Sequence, residues 1–169
     1  MQEQNKIQFK IPVEGDIHEQ VTAVHEDGVS GDILKKVNFF TGDACKLKEY
    51  AENGAIGTFD GIVMSNLLCR LPDPVACLDG MPHVLNKGGV LVMVTPFSWL
   101  EEYTSRNNWL GGIYDPVTGE ALRSQDRLQA LMEERGFELI HEEEIPLVIR
   151  EHQRKYQYII SKATGWRKI

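Results

Sequence analysis

Cysteine is scarce in this chain. Among 169 residues there are three, Cys45, Cys69 and Cys77, with no CxxC pair and no even set for disulfides. That excludes a disulfide-stapled scaffold. His18, His25, His83, His141 and His152 stand apart, with no HxH, HxxxH or HExxH pair, so no metal site is expected. A GxxxxGK[ST] loop and a GxSxG elbow are both missing, which argues against a P-loop nucleotidase and a serine hydrolase. No apolar run is long enough to span a membrane and no signal-peptide pattern opens the chain. A reduced, cytoplasmic protein with no membrane partner is the expectation. Basic excess is lacking too: the formal net charge is −7, and the one basic cluster, Arg150 to Lys155, is interrupted by Glu151. Nucleic acid is not an expected partner.

What is present is an alternation of strand and helix signals. Met1 to Asn5 is polar and reads as a frayed end. Ile7, Phe9, Ile11 and Val13 alternate with polar residues, the pattern of a half-buried strand that Pro12 restricts to an edge or an end. Gly15 to Gly31 reads as an irregular connection with a helical turn or two around Ile17 to Val24. Val37 to Asp43 reads as a core strand, and Lys46 to Asn53 as a short helix closed by Gly54. Phe59 to Ser65 is short and mostly apolar, as in a strand buried on both faces. Asp73 then suits the cap of a helix and Pro74 its first position. That helix carries Val75, Leu78 and Leu85 towards the sheet, is kinked or broken by Pro82, and ends at Asn86-Lys-Gly-Gly89. Val90 to Thr95 is a second buried strand. Strand, helix, Gly-Gly, strand is a βαβ unit, hence a parallel sheet whose ligand side lies at the strands' carboxyl ends.

Pro96 to Gly119 is a long connection carrying Trp99, Tyr103, Trp109 and Tyr114, either a binding loop or one stapled to the core by its aromatics. Ser124 suits a helix cap, Leu128, Leu131 and Met132 share one helix face, and Gly136 closes that helix. Phe137 to Ile149 and Lys155 to Thr164 read as a closing hairpin at one edge of the sheet, the first strand bent at Pro146 and the second showing Tyr156, Tyr158 and Ile160 on one side. No repeat or linker divides the chain, so residues 1–169 are expected to form a single domain.

An acid after one strand (Asp43), an asparagine after the next (Asn66) and a Gly-Gly before a third resemble class I S-adenosylmethionine-dependent methyltransferases. Longer strings sharpen this: Gly42-Asp-Ala-Cys45, Ser65-Asn-Leu-Leu-Cys-Arg-Leu-Pro-Asp-Pro74, Trp99-Leu-Glu-Glu-Tyr103, Asn108-Trp-Leu-Gly-Gly112 and Ile149-Arg-Glu-His-Gln-Arg-Lys-Tyr-Gln-Tyr158. They are similar to the methyltransferase domain at the carboxyl end of ovothiol synthase, a 4-mercaptohistidine N1-methyltransferase, from about Phe9 onward. The resemblance implies an α/β, partial Rossmann-like class I methyltransferase sheet, mainly parallel, with a carboxyl-terminal antiparallel strand pair. The family's first strand and glycine-rich loop belong upstream of Lys6. The chain is therefore expected to carry the carboxyl-terminal two thirds of the fold, with sheet edges left open to a possible second copy.

The same resemblance implies S-adenosyl-L-methionine as cofactor and a thiohistidine as substrate, with ovothiol A as product and no iron. Asp43 would accept from the adenine amine and the Ala44 amide would meet a ring nitrogen. Asn66, Leu67 and Leu68 would pass beside the methionine moiety, with Arg70 pairing either with the cofactor carboxylate or with Asp73. Trp99, Glu102, Asn108, Trp109, Arg150 and Tyr156 would hold the substrate, Arg150 on its carboxylate and Glu102 on its ammonium. Tyr103 and His152 are the catalytic candidates, His152 as the one plausible general base. The rival reading is a non-catalytic remnant acting through protein contacts.

Overall fold

A computed structural model describes residues 6–24, 32 and 35–169. The chain forms two compact units, Met1–Thr41 with Leu147–Ile159, and Gly42–Pro146 with Ile160–Ile169.

In the first unit, β1 (Lys6–Glu14) pairs antiparallel with β2 (Ile17–Val24), Phe9 opposite Val21 and Ile7 opposite Ala23. The helical turn expected around Ile17 to Val24 is thus a strand. The decisive signal is the two-residue connection Gly15-Asp16: Gly15 has φ +51°, which a primed hairpin turn requires and glycine supplies without strain. The remainder of that connection, like Met1 to Asn5, lies outside the described residues. β1 is not half-buried, with Ile7 67% and Phe9 47% exposed, because a two-stranded ribbon has no second layer of its own. Pro12 sits where the register shifts, as its missing amide demands. The core strand expected over Val37 to Asp43 does not form. Phe39 and Phe40 are exposed, and no strand among the described residues pairs with them.

The second unit holds a four-stranded sheet in the order β3-β4-β8-β7. β3 (Phe59–Ser65) runs parallel to β4 (Leu85–Thr95), with α2 (Pro74–Val84) between them, so the βαβ unit is present. Asp73 caps α2 by accepting from the Ala76 amide at 3.0 Å, and Pro74 takes the first turn. The helix stops two residues after Pro82. β8 (Lys155–Lys168) lies antiparallel to β4, Met93 opposite Thr164, and β7 (Phe137–His152) forms the edge beyond. The two-residue connection Gln153-Arg154 makes β7 and β8 an antiparallel pair. The expected α/β, partial Rossmann-like sheet with its closing hairpin is therefore what the chain builds.

One face of this sheet is covered. Leu91, Met93 and Thr95 of β4 are fully buried with Leu78, Met81 and Val84 of α2 and with Leu128, Leu131 and Met132 of α3 (Ser124–Glu134). Ahead of them α1 (Leu47–Glu52) packs on α2 at Gly80, where a Cβ would come within 2.6 Å of the Leu47 side chain. Along β3 the other face is open. β3 was expected to be buried on both faces, but only Met64 is; Val63 is 73% exposed and Phe59 45%. β3 is the outer strand of the sheet, and among the described residues nothing lies beyond it. Ser124 does not cap α3 either: Arg123 occupies the cap position without a side-chain bond, and the Ser124 hydroxyl is engaged elsewhere.

This one-sided burial predicts an asymmetry in mutational cost. Leu78→Ala should lose about 2–5 kcal/mol of stability in urea unfolding. Val63→Ala should change it by no more than about 0.5 kcal/mol. Equal losses would mean that the open face is covered in solution.

Candidate functional site

The carboxyl ends of β3 and β4 lie side by side, and the Asn66 amide donates to the Val94 carbonyl at 2.7 Å. Each strand leaves the sheet through a residue in the left-handed region, Asn66 at φ +52° and Phe97 at φ +50°. Asparagine tolerates this conformation better than most, whereas phenylalanine holds it at a cost, and such positions concentrate where a fold shapes a site. The Asn66 side-chain oxygen faces the Ser161 hydroxyl at 3.4 Å. Leu67 is part-exposed beside it. Leu68 is fully buried in the core, so it can meet a ligand only through its backbone.

Arg70 follows in a 3-10 turn, Leu68–Arg70. Its Nη1 donates to the carbonyl of Ser98 at 2.7 Å and to that of Cys69 at 3.2 Å, and its guanidinium lies 4.9 Å from the centre of the Tyr103 ring. The alternative partner considered for Arg70, Asp73, is instead occupied with the α2 cap. Arg70 therefore ties the segment after β3 to the loop after β4, and Tyr103 serves as its platform.

That loop is pinned by its aromatics. Trp99 and Trp109 stack with centroids 6.4 Å apart and planes 19° from parallel. Trp99 Nε1 donates to Ser124 Oγ at 2.8 Å and Trp109 Nε1 to the Thr104 carbonyl at 2.8 Å. The buried Thr104 hydroxyl donates to the Leu71 carbonyl at 2.6 Å, and Asn108 Nδ2 to that of Pro72 at 2.9 Å. Both indole N–H groups are thus spent within the chain; Trp99 is buried in the core, and the part-buried Trp109 ring has the Arg106 guanidinium 5.5 Å from its centre. Glu102 is exposed, without a side-chain partner among the described residues. Ser98, Thr104 and Ser124 went unread as site-shaping residues. Their roles depend on contacts distant in the chain that no local pattern encodes.

Asp43 stands at the start of a 3-10 turn, Ala44–Lys46, and its Oδ1 accepts from the Cys45 amide at 2.9 Å. The Asp43 amide donates to the Tyr50 hydroxyl at 3.1 Å. Asp43 is therefore a turn former in its own right. Its carboxylate is exposed, and Oδ2 has no partner among the described residues. Ala44 is half-buried behind it. Burial is the main cause that raises Cys45 above the ordinary thiol value, and it pushes Cys77 from 9.0 up to about 12.

The remaining candidates, Arg150, His152 and Tyr156, belong to the first unit. His152 Nδ1 accepts from the Arg154 amide at 3.2 Å, closing the β7–β8 turn. With that lone pair engaged, a neutral imidazole carries its proton on Nε2 and has no free nitrogen to act as a base. Arg150 and Tyr156 are exposed. The neighbouring Glu151 is held below the usual carboxylate range chiefly by its bond to Lys155, with Gln157 adding to it. Among the described residues no three His, Cys, Asp or Glu side chains gather to hold a metal. Among the described residues no helix is long and apolar enough to cross a membrane.

A sequence profile described as a methyltransferase domain matches residues 8–142. No curated protein matches the chain. Among solved structures it is similar to a SAM-dependent methyltransferase from Methanosarcina mazei, with 23% identity over 67% of this chain and 60% of that one, at a TM-score of 0.44. It is also similar to TehB from Haemophilus influenzae, with 11% identity over 80% and 43% of the two chains and a TM-score of 0.46. A third likeness is to a protein solved in work on conversion of a disulfide bond into a thioacetal group during echinomycin biosynthesis, with 15% identity over 75% and 53% and a TM-score of 0.48. The chain spans less than two thirds of each of these structures.

Ser124→Ala should strand the buried Trp99 indole N–H and cost about 1–3 kcal/mol, with a shift in tryptophan emission reporting a loosened loop. Cys77 supplies a pH prediction. Its folded value of about 12 lies above the 9.0 of the unfolded chain, so above 9 the unfolded state binds fewer protons. Its contribution to stability is full below pH 9 and is lost as pH rises through 9 towards 12. Urea midpoints across that range should fall more steeply in the wild type than in Cys77→Ala.

Proposed function

The chain belongs to the methyltransferase domain family, and on that premise we propose that it acts as an S-adenosylmethionine-dependent N-methyltransferase on a thiohistidine, in ovothiol A biosynthesis, as one methyltransferase-like domain. The observation that carries this reading is the pair of left-handed exits, Asn66 and Phe97, at adjacent carboxyl ends of parallel strands. A ligand crevice of an open α/β sheet belongs at such a place. The residues present suit the cofactor's two ends. Asp43 keeps one carboxylate oxygen for an amine donor, and Asn66 with the Leu67 and Leu68 backbone borders the crevice. Arg70 offers a cation held by Ser98 and Tyr103.

When bound, the cofactor supplies a sulfonium methyl group. The work left to the chain is orientation of an acceptor nitrogen in line with it. A neutral imidazole nitrogen needs little help from a base, which agrees with the engaged Nδ1 of His152. His152 and Tyr103 then act by position. Trp109 and Asn108, with Trp99 stacked behind, form a wall braced by the chain itself, and Glu102 offers an exposed carboxylate to the ammonium group of an amino acid.

The rival reading, a non-catalytic module that binds another chain, draws support from the unpaired edge of β3 and the exposed Val63 beside it. A second copy is one candidate for that edge. Calorimetric titration with S-adenosylhomocysteine separates the two, with mass in solution measured alongside. The methyltransferase reading expects saturable binding at one site per chain, weakened about tenfold or more in Asp43→Ala through loss of a charge-assisted hydrogen bond. No binding by a folded chain, or equal binding by Asp43→Ala, would overturn it.

A further inference from the structure

A groove of about 740 Å³ opens between the first turn of α2, the aromatic loop, the short hairpin of β5 (Ile113–Tyr114) and β6 (Ala121–Leu122), and the start of α3. All of these elements belong to the second unit. Its floor is apolar, with Leu122 among the lining residues, and Trp109 stands in one wall. Charges of both signs line it: Asp73 at one side, and Arg123, Asp126 and Arg127 along α3. Arg127 lies in the first turn of α3, and Arg123 holds the extended cap position just ahead of it. Among the described residues neither arginine, nor Asp126, makes a side-chain hydrogen bond or an ion pair within 4.0 Å, although Arg123 and Asp126 are only three residues apart. This contrasts with Arg70 and Arg135, whose side chains are tied to carbonyls or carboxylates. The wall is also preformed. Gly111 packs against the chain entering α3 so closely that a Cβ would lie 2.5 Å from the Ser124 amide nitrogen.

Opposite charges that rim a concavity without closing on each other match a ligand carrying both signs. We infer that this groove binds the head group of a small zwitterion of the α-amino-acid class. Arg123 and Arg127 take the carboxylate, where a guanidinium offers a two-pronged match. Asp126 faces the ammonium group, and the ligand's side chain lies against Leu122 and the edge of Trp109. The use made of the bound amino acid rests on the methyltransferase reading above. The grip itself does not, and it moves the head-group contacts from Glu102 and Arg150 to α3.

The test is calorimetric titration of the full chain with L-histidine, histamine, which lacks the carboxylate, and imidazolepropionic acid, which lacks the amine. Saturable binding of L-histidine is expected, with no detectable binding of histamine. Arg127→Ala should weaken L-histidine binding by about tenfold or more, and a change at the exposed Lys87, Lys87→Ala, should leave it unchanged. Arg127 is exposed, so circular dichroism should show the variant folded. Absence of L-histidine binding, equal binding by Arg127→Ala, or an equal loss in Lys87→Ala would overturn the inference. A parallel titration with S-adenosylhomocysteine keeps the two readings apart. L-histidine binding without it would sink the methyltransferase reading alone, and the reverse pattern would sink the groove alone.

Discussion

Strand β4 is the constraint on which the second unit depends. It has β3 on one side and β8 on the other, and its inward residues Leu91, Met93 and Thr95 form the surface against which α2 and α3 are buried. Period-two alternation sends Val92 to the opposite face, where little covers it. The loop that leaves β4 inherits its position. Because Phe97 turns the chain through the left-handed region, Ser98 presents its carbonyl to Arg70, and Trp99 reaches the Ser124 hydroxyl at the start of α3.

The aromatic loop is therefore both a brace and a wall. Composition left these two roles open, and the hydrogen bonds join them. The indole N–H groups are used for bracing, and the part-buried Trp109, fixed by that bracing and by Trp99 behind it, is a preorganised wall. Rigid walls suit a family whose chemistry is mostly a matter of alignment. The open groove beside α3 has the same character, since Gly111 holds loop and helix at backbone contact.

Where local signals carried the structure, they were readable. Asp73-Pro74 announced α2, Gly136 the end of α3, and the spacing of Leu128, Leu131 and Met132 its buried face. Where tertiary context decides, they were not. Val37 to Phe40 has the composition of a strand, yet a strand needs a neighbour, and none among the described residues provides one. Phe59 to Ser65 reads as doubly buried because apolar content reports affinity for a core without saying whether a second layer exists. The hairpin turn Gly15-Asp16 was legible and was missed because the acidic residues around it obscured the alternation. Of the candidate site, Asn66 and Arg70 could be placed after their strand, whereas the strand read before Asp43 does not form and Asp43 opens a 3-10 turn instead. Their partners Tyr50, Ser161 and Ser98 lie far off in sequence or leave no mark in it.

The pairing of β4 with β8 sets Val94 beside Ala163, a residue made much later in the chain. On the ribosome the two neighbours of β4 thus arrive at different times. β3 is already made when β4 emerges, and α2 can fold the two together at once. The other flank of β4 keeps its backbone donors and acceptors unpaired until Lys162 to Arg167 has been synthesised. For that interval the nascent chain presents an open ladder, the template on which strands of a neighbouring nascent chain would pair.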